Sequence, residues 1–245
     1  NPNYPNGCES VSAVMLLQSY GIDIKVDEFI NRYLKKNVIY SKDGDRYGPD
    51  PRITYAGDPR SETMGFGVFE PGIKLAIEKV LYDKTEEKIN YNVYGSDDKK
   101  TLEYQVANKL PLVIWATTNY EPVGEMWTWR SYDKKYTYTY PKNSHTIVVT
   151  GVDQEYYYVN DPLQEKGNIK VEKGKLERSF DSLGRQVVGI EIYDITELQG
   201  NIENRWMESE VFMQLIKLRN EDIGIFKKYS YEMIDDNNEI IGGLL

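Results

Sequence analysis

Apolar residues between Cys8 and Tyr20 fall into two overlapping helical sets: Val11, Val14 and Met15 on one side, and Ala13, Leu16, Leu17 and Tyr20 on the other. A helix that is apolar nearly all round belongs in the middle of a domain, and Gly21 supplies its C-terminal stop. Asn1–Gly7, rich in Asn and Pro, reads as an extended lead-in. A second, amphipathic helix is predicted over Val26–Lys36, with Phe29, Ile30, Tyr33 and Leu34 inward. Residues 41–67 hold five Gly and three Pro among many charged residues, the composition of a long irregular loop that borders a cleft. Helix returns at about Pro71–Leu81, with Pro in its first turn, and again at about Lys99–Lys109.

Beyond that point the period changes. Leu112–Ala116 is a short apolar run in the style of a buried strand. Trp127–Tyr140 alternates aromatics with Thr across a turn near Asp133-Lys134-Lys135, which is a hairpin pattern. His145–Val152, Tyr156–Val159 and Gln186–Tyr193 are three further strands. Helices first and antiparallel strands second make an α+β layout. Residues 194–245 differ from the rest: eleven acidic residues against five basic ones give this stretch −6 of the chain's net −9. It is expected to be an acidic appendage to a core of residues 1–193, with a helix over Trp206–Arg219 and a turn at 235–238 between two short strands.

The composition, 40% apolar and 28% charged, is that of an ordinary globular protein. A net charge of −9 without a basic stripe argues against nucleic acid, because phosphate contacts need clustered Lys and Arg. No apolar run approaches the ~18 residues that a membrane-spanning helix requires. A neutral or basic peptide or protein is the partner the charge favours. The single cysteine allows no internal disulfide. The start at Asn-Pro-Asn without Met is expected of a processed or trimmed chain, and the abundance of Lys, Asn, Tyr and Ile fits an AT-rich bacterial genome.

The sole cysteine, the sole histidine and one Asp-Pro lie in contexts that fit a single mechanism. Cys8 stands at the predicted start of the central helix, where the dipole and free N–H groups lower a thiol's pKa. Its backbone N–H would point where a tetrahedral oxyanion forms. Gly7 before it permits close approach of another chain. A thiolate nucleophile needs an imidazole to protonate the leaving amine, and His145 opens a rigid apolar strand. The imidazole needs an acceptor to fix its tautomer. A turn at Asp153-Gln154-Glu155 and an antiparallel return would bring Asp161 beside it. Glu9, in the first helical turn, is accounted for by the dipole. Trp127, Trp129, Tyr136, Tyr138 and Tyr140 could pave a peptide-binding wall, and cross-strand pairing explains them equally well. Asp43-Gly44-Asp45 and Asp235–Glu239 lack the spacing of a calcium loop, and one Cys with one His forms no zinc site. No cofactor is expected. Gly242-Gly243 reads as a flexible end.

Asn-Pro-Asn-Tyr-Pro-Asn-Gly-Cys-Glu-Ser-Val-Ser resembles the nucleophile motif of stand-alone relatives of bacteriocin-leader peptidases, in cysteine peptidase family thirty-nine. Further blocks follow in order: Gly57-Asp58-Pro59, then Gly65 to Pro71, Leu110 to Trp115, Ser144 to Gly151, and Val159-Asn160-Asp161-Pro162. The resemblance covers about residues 1–193. It implies a papain-like cysteine peptidase fold with a central N-terminal helix packed on an antiparallel sheet. It also implies Cys8 as nucleophile, His145 as general acid/base and Asp161 as the orienting acid. The family's oxyanion Gln would fall one residue before Asn1. Relatives of this kind are often exported or surface-attached, so an extracytoplasmic location is expected. Amide or acyl transfer, cell-wall peptide hydrolysis, and a non-catalytic peptide-binding module remain as rival readings.

Overall fold

The computed structural model describes residues 3–85, 90–96, 101–108, 111–164 and 167–193. Contacts divide the chain into two units, Asn1–Lys88 with Val93–Glu191, and Ile89–Asn92 with Ile192–Leu245. Cys8, Glu9, Tyr120, His145, Thr146 and Asp161 all belong to the first unit. Of the second, only residues 90–92, in a strand, and 192–193, at the end of another, are among the described residues. The expected helix at Trp206–Arg219, the turn at 235–238 and the rest of residues 194–245 lie outside them.

Helix α1 (Cys8–Ser19) is closed by Gly21 at φ 77, whose N–H bonds Gln18 O at 2.9 Å while Ile22 N–H reaches Leu17 O at 3.1 Å. Helix α2 (Val26–Glu28) runs into a π-helical turn over Phe29–Tyr33. Four short strands follow β1 (Lys36–Asn37): β2 (Tyr40–Lys42), β3 (Asp45–Gly48), β4 (Tyr55–Gly57) and β5 (Gly65–Gly67). Next come α3 (Glu70–Thr85), β6 (Asn90–Tyr94), α4 (Leu102–Asn108) and β7 (Leu112–Thr117). The hairpin β8 (Met126–Ser131) and β9 (Thr137–Pro141) leads to β10 (Ser144–Val152) and β11 (Tyr156–Asn160). The described chain closes with β12 (Ile169–Glu172), α5 (Lys173–Ser182) and β13 (Val187–Tyr193).

The main sheet has the order β12-β11-β10-β7-β13-β6, and β7, β10, β11, β12 and β13 pair antiparallel along it. This is the α+β, papain-like arrangement, with the N-terminal helix packed on an antiparallel sheet. Helix α1 is buried through Ala13, Val14, Leu16 and Leu17, each worth on the order of 1.5–3 kcal/mol for the larger side chains. Ser12 Oγ donates to Thr146 O of β10 at 2.9 Å, and Tyr20 Oη donates to Ile190 O of β13 at 2.6 Å. A second apolar cluster on that sheet joins Leu102, Val106, Ile114, Ile147, Val149, Leu176 and Phe180.

Two expectations need correction. Residues 41–67 are not an irregular loop. Their strands are three or four residues long: β2 pairs antiparallel with β3 and β4 with β5, while β4 also lies parallel to β1 with Tyr55 opposite Lys36, and β3 parallel to β8 with Tyr47 opposite Arg130. Strands this short display no alternation that a window can detect. The helix expected to reach Lys36 ends at Tyr33, because Lys36 and Asn37 are drawn into pairing with β4. Among the described residues no helix is long and apolar enough to cross a membrane.

Candidate active site

The segment before Cys8 is tied down by the loop after β4. Asn6 N–H reaches Pro59 O at 3.2 Å, Asn6 Nδ2 donates to Ser61 O at 2.7 Å, and Tyr55 Oη donates to Asn6 O at 2.5 Å. A Cβ at Gly7 would lie 2.8 Å from Tyr4 Cβ and 3.3 Å from Pro59 Cβ. The close approach expected at Gly7 is therefore made by the chain's own residues, at an ordinary φ of −110. Cys8 is half-buried and is the first residue of α1, so its N–H is one of the four that have no acceptor within the helix.

His145 and Asp161 meet as the hairpin reading requires. Strands β10 and β11 are antiparallel, with Val148 opposite Asn160. The turn between them is held by Asp153 Oδ1, which accepts from Glu155 N–H at 2.9 Å and Tyr156 N–H at 2.7 Å. His145 Nε2 lies 2.6 Å from Asp161 Oδ1, with the histidine only 3% exposed. Asp161 Oδ1 also accepts from Leu163 N–H at 2.8 Å, and Oδ2 accepts from Tyr120 Oη at 3.0 Å. Burial alone would raise the Asp161 pKa. The His145 contact, Leu163 N–H and Tyr120 Oη together outweigh it and hold the carboxyl below its ordinary value. Tyr120 itself is raised, by burial first and then by the Asp161 charge. With Nε2 tied to Asp161, Nδ1 is the ring nitrogen left for chemistry.

The surroundings of Cys8 overturn one expectation. Burial pushes the thiol's pKa well above its ordinary value, and the Glu9 carboxylate adds to the rise by charge and hydrogen bonding. The Thr146 N–H and hydroxyl pull the other way. Cys8 Sγ–H points at Glu9 Oε2, 3.3 Å away. The helix N-terminus favours a thiolate, but burial of the sulfur first and the adjacent Glu9 carboxylate second act against it. Glu9 is also more than a dipole partner. It is 2% exposed, and its Oε1 accepts from Val68 N–H at 3.2 Å and Tyr140 Oη at 2.9 Å. Burial raises the Glu9 pKa against those hydrogen bonds.

The aromatic wall divides. Trp129 is 1% exposed, donates from Nε1 to Pro49 O at 2.8 Å and packs with Ile39, Ala56 and Tyr140. It is a core residue and cannot touch substrate without unfolding its cluster. Trp127 is half-buried, with Phe66 edge-on at 5.4 Å and the Lys142 and Arg46 cations over its ring at 4.7 and 4.8 Å. Tyr140 serves the Glu9 network. Sequence reading missed Tyr120, Thr146 and the hydroxyl of Tyr140. None lies in a pattern of its own, and only the register of β9 and β10 and the turn after β7 bring them to the site. Among the described residues no group of three or more His, Cys, Asp or Glu could hold a metal ion.

Comparison with known proteins places this geometry in context. The model of the Peptidase_C39 like family matches residues 1–188. The uncharacterized protein YvpB of Bacillus subtilis (strain 168) is 27% identical over 190 residues, which cover 78% of this chain and 71% of that protein. The crystal structure of a protein from Bacillus anthracis described as a C39-like peptidase superposes with a TM-score of 0.63 at 25% identity, over 77% of this chain and 90% of that one. A double glycine motif protease from an AMS/PCAT transporter, solved with its leader peptide, covers 76% of this chain and 82% of that one at 14% identity and a TM-score of 0.38. That likeness is too distant to build on.

Proposed function

The chain belongs to the Peptidase_C39 like family, and from that premise we propose that it is a cysteine peptidase with Cys8 as nucleophile, His145 as general acid/base and Asp161 as its orienting partner. The observation that carries the reading is the buried His145–Asp161 pair at 2.6 Å, set on the strand against which α1 presents Cys8. His145 and Thr146 are consecutive on β10, and Thr146 is the residue whose N–H and hydroxyl act on the Cys8 sulfur.

In this reading the Cys8 thiolate attacks a peptide carbonyl carbon, forming the S–C bond and moving the π electrons onto oxygen, opposite the Cys8 N–H. Collapse of that intermediate breaks the C–N bond, and the Nδ1 proton of His145 leaves with the amine. Water, losing a proton to the same nitrogen, then attacks the thioester and expels the thiolate. Asp161 keeps Nε2 protonated and the ring in place throughout.

The test is turnover of a peptide library together with labelling by a thiol-directed probe. Cys8→Ala should remove both and leave the fold intact. Hydrolysis that survives Cys8→Ala would sink the proposal. A wild type that binds peptides but never cuts them would make this a peptide-binding module instead.

A further inference from the structure

Two acidic groups stand in contact at the head of α1, and the scheme above uses only one of them. Cys8 Sγ and Glu9 Oε2 are 3.3 Å apart, and the carboxyl is buried and fixed from behind by Val68 N–H and Tyr140 Oη. Val68 is itself held, because Trp115 Nε1 donates to its carbonyl oxygen at 3.0 Å. Tyr140 also accepts from Ser144 Oγ at 3.2 Å. Glu9 thus cannot swing away from the sulfur without breaking bonds to two other strands or their flanks. A buried site does not tolerate two negative charges at this distance.

We propose that Cys8 and Glu9 share one proton and carry one negative charge between them, so that Glu9 holds the resting nucleophile as a thiol and takes up its proton when the thiolate forms. This rests on the reading of Cys8 as nucleophile. The step balances: the Sγ–H bond breaks, an Oε2–H bond forms, and the pair's net charge stays at −1. The imidazole keeps its own proton for the departing amine. A second observation points the same way. Thr146 Oγ1 is buried with no hydrogen-bond partner among the described residues, yet it stands near enough to the sulfur to favour its ionised form. It is a donor for which a thiolate at Cys8 is a far stronger acceptor than the weakly accepting thiol.

The titratable groups that feel the pair's charge are Tyr140 from β9 and Tyr55 from β4, while His145, bonded to Asp161, lies next to Thr146 on β10. Both tyrosines are raised well above their ordinary range, by burial first and then by the Glu9 and Cys8 charges. They remain neutral phenols, and Glu9 is the carboxyl in direct contact with the thiol.

The experiment is the pH dependence of Cys8, read by thiolate absorbance and by the rate of alkylation with iodoacetamide. In the wild type the midpoint should lie above that of a free thiol, about 8.5. In Glu9→Gln, which keeps an acceptor for Val68 N–H and removes the charge, it should fall by about a unit or more. Alkylation at pH 7 should then rise about tenfold. A wild-type midpoint at or below that of a free thiol, or a midpoint unmoved in Glu9→Gln, overturns the pair. Should Glu9→Gln not fold, the reciprocal arm decides. The infrared carboxylic-acid band of Glu9 should titrate higher in Cys8→Ala, which lacks the thiol donor, and identical titration in the two proteins overturns the proposal. None of these readouts needs turnover, so failure of the pair and failure of the peptidase reading are separable.

Discussion

Removing one oxygen from Tyr120 isolates what holds Asp161. Three donors converge on that carboxylate: His145 Nε2 at 2.6 Å and Leu163 N–H at 2.8 Å on Oδ1, and Tyr120 Oη at 3.0 Å on Oδ2. Tyr120→Phe preserves shape and leaves Oδ2 of a buried carboxylate without its donor. A hydrogen bond to a buried charged group is worth about 1.5–3 kcal/mol, so urea denaturation at pH 7 should show a loss of that size. The pH dependence follows from the direction of the Asp161 shift. Its folded pKa lies below its unfolded value, about 3.9, so the stabilisation is whole above about pH 4 and is lost as pH falls through the folded value. In the variant the folded pKa moves back up. The two proteins should therefore differ most near neutrality and converge in acid. A gap under about 0.5 kcal/mol at pH 7, within the range of ordinary surface substitutions, would refute the reasoning. So would a gap that persists unchanged in acid.

Two other substitutions probe the surroundings of the site. Gly67 has φ 140, and a Cβ there would lie 2.3 Å from the Tyr140 ring, so Gly67→Ala should cost about 2–4 kcal/mol in urea denaturation. A loss below about 1 kcal/mol would mean that Tyr140 has room to move. Glu70, at the start of α3, is raised to about 7, by burial first, with Lys74 opposing and Glu78 reinforcing. Because its folded pKa exceeds the unfolded value of about 4.3, ionising it costs stability progressively between those pH values and fully above them. Glu70→Gln should then gain about 1–3 kcal/mol at pH 8 after allowance for solvent screening, and nothing at pH 4. Equal stability at pH 8 would refute that account.

What the chain's pattern made legible was whatever is periodic or local. Helix α1 announces itself by an apolar run and a terminal Gly, and begins at Cys8 as its composition requires. The β10–β11 hairpin is legible because both strands are long and apolar and are joined by an Asp-led turn, which is enough to bring His145 to Asp161. The strands of residues 36–67 were hidden because they are too short for alternation, and because β1 and β3 take parallel partners farther along the chain. Helix α5 was hidden because only Leu176 and Phe180 mark its buried apolar side. Trp129 misled because alternation tells which residues share a face of a hairpin, but not which face the rest of the protein covers.

The same distinction explains why the place of Cys8 in the fold could be read from the sequence but not its ionisation. Placement is local: one helix start fixes Cys8. Ionisation is set by groups brought from across the fold, since Glu9 is bonded to Val68 and Tyr140, 59 and 131 residues away. Ser12 ties the same helix to Thr146 across 134 residues. Helix α1 is therefore a seam between the N-terminal strands and the main sheet, and the charge at its head depends on both sides being closed. An opening of that seam that admits water would relieve the burial that raises both Cys8 and Glu9. Reactivity of the thiol thus reports on closure of the fold around it as directly as on the helix from which it projects.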